Sequence, residues 1–181
     1  MDFTEETIGT REIYKGRIIH VKEDTVRLPD GNTEGRELVL HNGGVAVVAL
    51  DENNNVFMVR QYRKPYEKTV LEIPAGKLEK DEDPYDAGLR ELREETGYTA
   101  KKFCFIGKCY PTPGYCSEII HLYMARELEY VGQELDPGEF IEVMKMPLSE
   151  LVTMVMDNKI EDAKTQIAIL KAEKILLKGD M

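Results

Sequence analysis

The chain has few of the residues from which several common chemistries are built. Its three cysteines, Cys104, Cys109 and Cys116, are odd in number and lack the paired spacing of a structural zinc site or a disulfide framework. Reduced, incidental thiols are the favoured reading, and a zinc site from Cys109, Cys116 and His121 is the weaker alternative. Histidine is equally scarce: only His20, His41 and His121 occur, and no Ser-His-Asp or Cys-His constellation can be argued, which disfavours side-chain nucleophiles. No apolar run reaches 18 residues, and the N-terminal MDFTEETIGT is acidic, without the basic and apolar regions of a secretory signal. A cytoplasmic location with no membrane partner is therefore expected. Basic residues are also outnumbered, 24 lysines and arginines against 34 aspartates and glutamates, giving a net charge of −10. That balance argues against general affinity for nucleic-acid backbone, which rests on cations neutralising phosphates. Neither an internal repeat nor a low-complexity linker is present. With 181 residues, 42% of them hydrophobic, the chain can bury one sizeable core plus a small appended element.

What the chain does contain is concentrated in one run, GKLEKDEDPYDAGLRELREETGY, from Gly76 to Tyr98. Asp83 followed by Pro84 is a helix start, an acceptor side chain before a proline whose missing N–H costs nothing there. Gly97 supplies the stop. Between them Tyr85, Leu89, Leu92 and Thr96 recur at helical spacing as a stripe that can pack on a sheet. Glu91, Glu94 and Glu95 then project from another face, with the small residues Ala87 and Gly88 beside or between them. Carboxylates three and four positions apart on a helix are neighbours and repel one another unless a hard cation such as Mg2+ or Mn2+ is shared between them. Most glutamate-rich helix faces are merely solvated. Here the β-prone stretch Leu71-Glu72-Ile73-Pro74-Ala75 leads directly into Gly76, a residue that lets backbone approach the helix face.

Gly76, Glu82, Arg90, Glu91, Leu92, Glu94, Glu95 and Gly97 stand at the offsets of the Nudix signature, and the chain resembles a Nudix hydrolase. Tyr98 departs from the usual aliphatic residue but keeps apolar bulk. The resemblance implies hydrolysis of a nucleoside diphosphate linked to another group, with two or three Mg2+ ions held by Glu91, Glu94, Glu95 and the Ala75 carbonyl, Mn2+ being an alternative. Arg90 is implied to orient the motif carboxylates. Pro113, fifteen residues beyond Tyr98, and the segments Arg36-Glu37, Gly44-Val45-Ala46-Val47, Gln61-Tyr62-Arg63 and Leu71 to Gly76 are similar to the ADP-ribose pyrophosphatase branch. That likeness assigns substrate contacts to Arg36, Arg63, Glu72 and Pro113 and names AMP and ribose 5-phosphate as products. Guanidinium forks suit phosphate oxygens. It also places a base or further metal ligand in the acidic loop Glu134 to Glu139, with Glu139 preferred over Asp136 and Glu134. Where relatives stack an aromatic on adenine this chain has Ile18, with Tyr14 nearby, so base preference stays open. A nucleotide sugar or dinucleoside polyphosphate substrate is the rival reading, and a non-catalytic ADP-ribose sensor a more distant one.

The expected architecture is an α/β/α sandwich around a mixed sheet with a small N-terminal antiparallel β unit. Residues 1–42 form that unit, with β structure over Ile13 to Leu28, a turn LPDGN, and a return over Arg36 to Leu40. It is too thin to stand alone and must pack on the rest of the chain or on a second subunit; the resemblance implies homodimerisation through it. Residues 43–181 form the hydrolase domain. There, Val45 to Leu50 and Val56 to Arg60 read as a hairpin about DENNN. Further strands are expected over Thr69 to Ile73, Phe103 to Cys109, Ile119 to Arg126 and Phe140 to Met146. Two late helices are expected over Leu148 to Met156 and Ala163 to Leu177.

Overall fold

A computed structural model describes residues 2–179. The chain divides into two compact units. One holds the chain up to Gly43 together with Tyr110–Ile119; the other holds Gly44–Cys109 and the chain from Ile120 onward.

In the first unit, β1 (Glu6–Lys15), β2 (His20–Arg27) and β3 (Thr33–Leu40) make an antiparallel sheet in that order. β structure thus begins earlier than Ile13 and reverses at Gly16, whose N–H donates to the Ile19 carbonyl at 2.9 Å. The turn at LPDGN closes with Leu28 and Asn32 bonded and Gly31 at positive φ. β1 is exposed along its whole length, whereas Val26 and Asp24 of β2 are buried. Asp24 is satisfied there by Thr10 Oγ1 at 2.8 Å and Lys22 Nζ at 2.9 Å. The segment 110–119 runs beside β3 through Val39 N–H to the Tyr115 carbonyl and Ser117 N–H to the Val39 carbonyl.

The second unit is an α/β/α sandwich. Its strands are β4 (Gly44–Ala49), β5 (Asn55–Arg63), β6 (Lys68–Glu72), β7 (Ala75–Lys77), β8 (Tyr98–Cys109), β9 (Ile120–Tyr130) and β10 (Ile141–Pro147). One sheet has the order β7-β4-β9-β8 and the other β10-β5-β6. β4 pairs in parallel with β9 and antiparallel with β7, so the sheet is mixed. Helix α1 (Pro84–Thr96) covers one side, and α2 (Leu148–Met156) and α3 (Ala163–Lys178) the other. Among the described residues no helix is long and apolar enough to cross a membrane.

The β4 sequence explains the sandwich. GVAVVA contains no polar side chain, as expected of a strand covered on both faces. Val45, Val47 and Ala49 enter the cluster that includes Ala87 and Leu92 of α1, while Ala46, Val48 and Leu50 enter the cluster formed with α2 and α3. That environment also overturns the hairpin expectation for β4 and β5. The DENNN turn forms, with Asp51 and Asn55 bonded and Asn54 left-handed, but pairing stops at a single Leu50–Val56 bridge. Beyond it the strands diverge, β4 to β9 and β7, β5 to β10 and β6. A turn motif fixes local reversal; which neighbours each strand takes is decided by the two cores.

Candidate active site

Helix α1 starts and ends as its sequence dictates. The Asp83 side chain accepts the Tyr85 N–H at 2.7 Å, and Gly97 closes the helix at φ 82° with its N–H on the Arg93 carbonyl. The buried face is Ala87, Gly88, Leu92, Glu95 and Thr96. Two sequence expectations need correction here. Tyr85 is 45% exposed and reaches the core through edge contacts with Phe103 and Tyr123, at 5.1 and 6.2 Å between centroids. Ala87 and Gly88 lie on the sheet side instead of spacing the carboxylates. A Cβ on Gly88 would stand 2.7 Å from the Phe103 ring, so glycine sets how closely the helix approaches the stacked Phe103–Tyr123 pair. Burial of Leu92 contributes about 2 kcal/mol.

Glu95 is a third correction, because it belongs to that buried face with 3% exposure. Its Oε2 accepts the Ala75 N–H of β7 at 3.0 Å. Burial pushes its carboxyl up to about 8, with the charges of Glu91 and Glu139 adding to the effect and the Ala75 bond and Arg63 opposing it. Burial likewise pushes Glu91 up to about 6, against the lowering effect of Arg90 and with Glu94 and Glu139 raising it further. The Gly76 backbone passes so close to Glu91 that an added Cβ would fall 1.9 Å from the carboxyl carbon. Only glycine leaves room for this side chain.

Arg90 gathers the acidic groups. Its Nε and Nη2 donate to Glu82 at 2.9 and 3.1 Å, and Nη1 donates to Glu91 Oε1 and Glu94 Oε2, both at 2.9 Å. One guanidinium thus ties the turn before α1 to two helix carboxylates and holds Glu82 below its ordinary range. Among the described residues no three carboxylate, imidazole or thiolate groups form a ready-made cage for a metal ion. The donor chemistry nonetheless fits a hard divalent cation. Glu95 is buried and Glu91 partly so, burial and their mutual repulsion disfavour the charged forms, and oxygen-coordinated cations relieve both effects.

The acidic loop is attached to the far end of α1. Val131 and Gly132 N–H groups donate to the Gly97 carbonyl, Glu134 N–H to Glu94 and Gln133 Nε2 to Glu95 at 2.6 Å. These bonds occupy carbonyls that a helix end leaves without partners. The loop continues to Glu139, whose N–H closes a turn on the Asp136 carbonyl and whose exposed carboxylate is close enough to influence Glu91 and Glu95.

A further charged cluster involves Arg63 of β5. Its Nε and Nη2 grip the Glu72 carboxylate at 2.6 and 2.7 Å. Glu72 is 2% exposed and also accepts Lys164 Nζ, which Asp162 holds in turn at 2.9 Å. Burial opposes ionisation of Glu72, but Arg63 and Lys164 outweigh it and hold the carboxyl below its usual range. Asp162 doubles as the α3 cap, accepting the Thr165 N–H at 3.0 Å. Lys164, Asp162 and Gln133 were missed by sequence reasoning. One signal was available for Lys164: a cation in the first turn of a helix opposes the helix dipole and calls for a local anion.

Sequence-selected residues in the first unit have their own surroundings. Arg36 forms a two-pronged pair with Glu5, at 2.6 and 2.9 Å, and Pro113 is exposed within a turn in which Tyr115 and Cys116 N–H groups reach the Thr112 carbonyl. Cys104, Cys109 and Cys116 form no disulfide.

Comparison with known proteins places this geometry in context. Residues 40–168 match the model of the NUDIX domain, and residues 5–39 match that of the nucleoside diphosphate sugar hydrolase N-terminal domain. An ADP-ribose pyrophosphatase of Bacillus subtilis is 46% identical over 91% of this chain and 90% of its own length. A protein of Bacillus methanolicus named methanol dehydrogenase activator is 45% identical over 92% and 91% of the two chains. An ADP-ribose pyrophosphatase of Mycobacterium tuberculosis is 40% identical over 71% of this chain and 62% of its own. The fold is shared with a crystal structure of an ADP compounds hydrolase, at a TM-score of 0.88 and 22% identity over 99% of this chain and 98% of the other. Signature, fold and relatives agree, and the chain belongs to the Nudix family of divalent-metal-dependent hydrolases.

Proposed function

We propose that this hydrolase cleaves the diphosphate linkage of ADP-ribose to AMP and ribose 5-phosphate, using two or three Mg2+ ions. The observation that carries the chemistry is the pair of carboxyls, Glu91 at about 6 and Glu95 at about 8, lodged between α1 and the Ala75-Gly76 backbone. Support for the substrate comes from two relatives named ADP-ribose pyrophosphatase, 46% and 40% identical.

In this reading the Ala75 carbonyl, Glu91, Glu94 and Glu95 hold the ions. When bound, divalent cations neutralise charge on the diphosphate and acidify a coordinated water. Glu139 accepts the proton of the attacking water from its exposed loop position, where it can reach the substrate side of the cluster. Arg90 orients Glu91 and Glu94 through its two short bonds. Arg63 presents its charge to the diphosphate while Glu72 fixes its plane; Arg36 and Pro113 are further proposed substrate contacts.

Homodimerisation through residues 1–42, with the hydrolase domain over 43–181, is part of the same proposal. It is supported by a sheet whose outer strand exposes Ile8, Ile13 and Tyr14. A cytoplasmic protein with a small-molecule nucleotide partner, and neither nucleic acid nor membrane, accords with the net charge of −10. The relative named methanol dehydrogenase activator supports a second reading, action on a dehydrogenase, tested by adding the protein to such an enzyme and following its rate.

The test is incubation with Mg2+ and a panel of ADP-ribose, GDP-mannose, NADH and diadenosine polyphosphates, with products resolved by chromatography. Preferential release of AMP and ribose 5-phosphate supports the proposal. Preference for another compound overturns the substrate, and binding without turnover favours a sensor.

A further inference from the structure

We propose that Lys164 is a positioning residue for substrate binding, acting through Glu72 on Arg63; the inference rests on the proposed role of Arg63 toward the diphosphate. The Glu72 carboxylate receives two cations, Arg63 through two nitrogens and Lys164 at Oε2. Were Arg63 its sole partner, the whole carboxylate charge would fall on the guanidinium and offset its field toward an anionic ligand. Lys164 changes that balance by taking a share of Glu72. Among the described residues, Arg63 Nη1 is hydrogen-bonded to no acceptor, so the guanidinium keeps one edge available while Nε and Nη2 fix its plane. Its charge extends toward the motif, since Arg63 and Glu95 influence each other.

Lys164 stands where a helix disfavours a cation. It sits in the first turn of α3, against the helix dipole, and is 10% exposed. Asp162, the residue before that turn, compensates by holding Lys164 Nζ through Oδ1 while Oδ2 caps the helix through the Thr165 N–H. Thr165 is in turn bonded to the Ile73 N–H at 3.0 Å, which fixes the start of α3 against the chain just beyond Glu72. Sequence, cap and strand end thereby deliver one ammonium to one carboxylate. Two cations and two anions balance in the cluster. Losing Lys164 would leave it with an excess negative charge, and the remaining cation, Arg63, drawn fully onto Glu72.

The experiment is steady-state hydrolysis of ADP-ribose by Lys164→Met, Lys164→Arg, Arg63→Ala and the Lys164→Met/Arg63→Ala double variant. Lys164→Met is expected to raise KM about tenfold with kcat within about twofold, because uniform binding is what it removes. Lys164→Arg should restore most of the loss. In the Arg63→Ala background the Lys164 change should add no further rise in KM, since both act through one group. An independent, additive effect overturns the inference, as does loss of thermal stability with unchanged KM. Asp162→Asn retains a capping side chain and provides a milder second variant should Lys164→Met fold poorly. Removing that anion leaves Lys164 to Glu72 alone, so KM should fall, and an unchanged or raised KM overturns the role. If Arg63→Ala itself leaves KM unchanged, the assignment of Arg63 fails and this inference with it. If Arg63→Ala raises KM and Lys164→Met does not, only the role of Lys164 is lost.

Discussion

Gly76→Ala separates the requirements of folding from those of the active site. The substitution adds one methyl group at a backbone conformation open to other residues, so no φ penalty applies. Its Cβ would meet the Glu91 carboxyl carbon and Oε1 at 1.9 Å and Oε2 at 2.3 Å, contacts that cannot exist. What must give is the far end of a flexible side chain, whereas backbone would have to yield for Gly44→Ala, whose Cβ meets the Gly76 carbonyl oxygen at 2.8 Å. Glu91 can therefore swing away, losing its bond to Arg90. A charge-assisted hydrogen bond is worth roughly 1.5–3 kcal/mol, and the lower entropy of an unfolded chain with alanine returns about 0.4–1 kcal/mol. The net cost to folding is thus about 0.5–2.6 kcal/mol, within reach of a stable domain. Activity has no such compensation, because the displaced group is a proposed ligand. Turnover of ADP-ribose should fall about 100-fold and require more Mg2+ for half-maximal activation. Paired measurements of AMP release against Mg2+ concentration and of thermal melting provide the assay. Turnover within about threefold of wild type would refute the reasoning, and so would collapse of the fold, which would mean that Glu91 cannot yield.

Other expectations follow from the same contacts. Glu95 has its folded value raised to about 8, so its contribution to stability is fully present below the unfolded value of 4.5 and is lost as pH rises through 8. In EDTA, wild type should lose stability relative to Glu95→Gln across that window, by a few kcal/mol, and saturating Mg2+ should remove the difference; melting curves at pH 5 and 8 check this. Gly44→Ala should destabilise by about 1–3 kcal/mol in denaturant titrations, since its clash is with backbone. Gln133→Ala removes the donor on the Glu95 carbonyl and should loosen the loop bearing Glu139, lowering kcat several-fold with little change in KM; an unaltered kcat would detach the loop anchor from turnover. Glu139→Gln should chiefly depress kcat, and an equal loss from Asp136→Asn would relocate the base.

The sequence spoke most clearly where local chemistry decides the outcome. Asp83-Pro84 and Gly97 bound α1 because an N-cap acceptor, a proline in the first turn and a left-handed glycine act within a few residues. The spacing of Glu91, Glu94 and Glu95 was legible for the same reason. Their environments were not. Whether Glu95 is solvated or buried depends on how α1 rotates onto β4 and β8, and Gly88 and Phe103 determine that contact from distant positions. The β4–β5 hairpin was misjudged for a related cause, since DENNN turns the chain but the all-apolar GVAVVA run is claimed by two cores at once. Lys164 and Glu72, 92 positions apart, meet only after α3 packs against the sheet. Such long-range ion pairs leave at most a trace in sequence, here a lysine in an otherwise unsuitable helix turn.

The most direct measurement is hydrolysis of ADP-ribose by wild type and Glu95→Gln, side by side, at saturating Mg2+. The account predicts AMP and ribose 5-phosphate from wild type and a loss of at least about 100-fold in kcat from the variant, with both proteins folded. Equal rates from the two would contradict a site built on the buried carboxylates of α1.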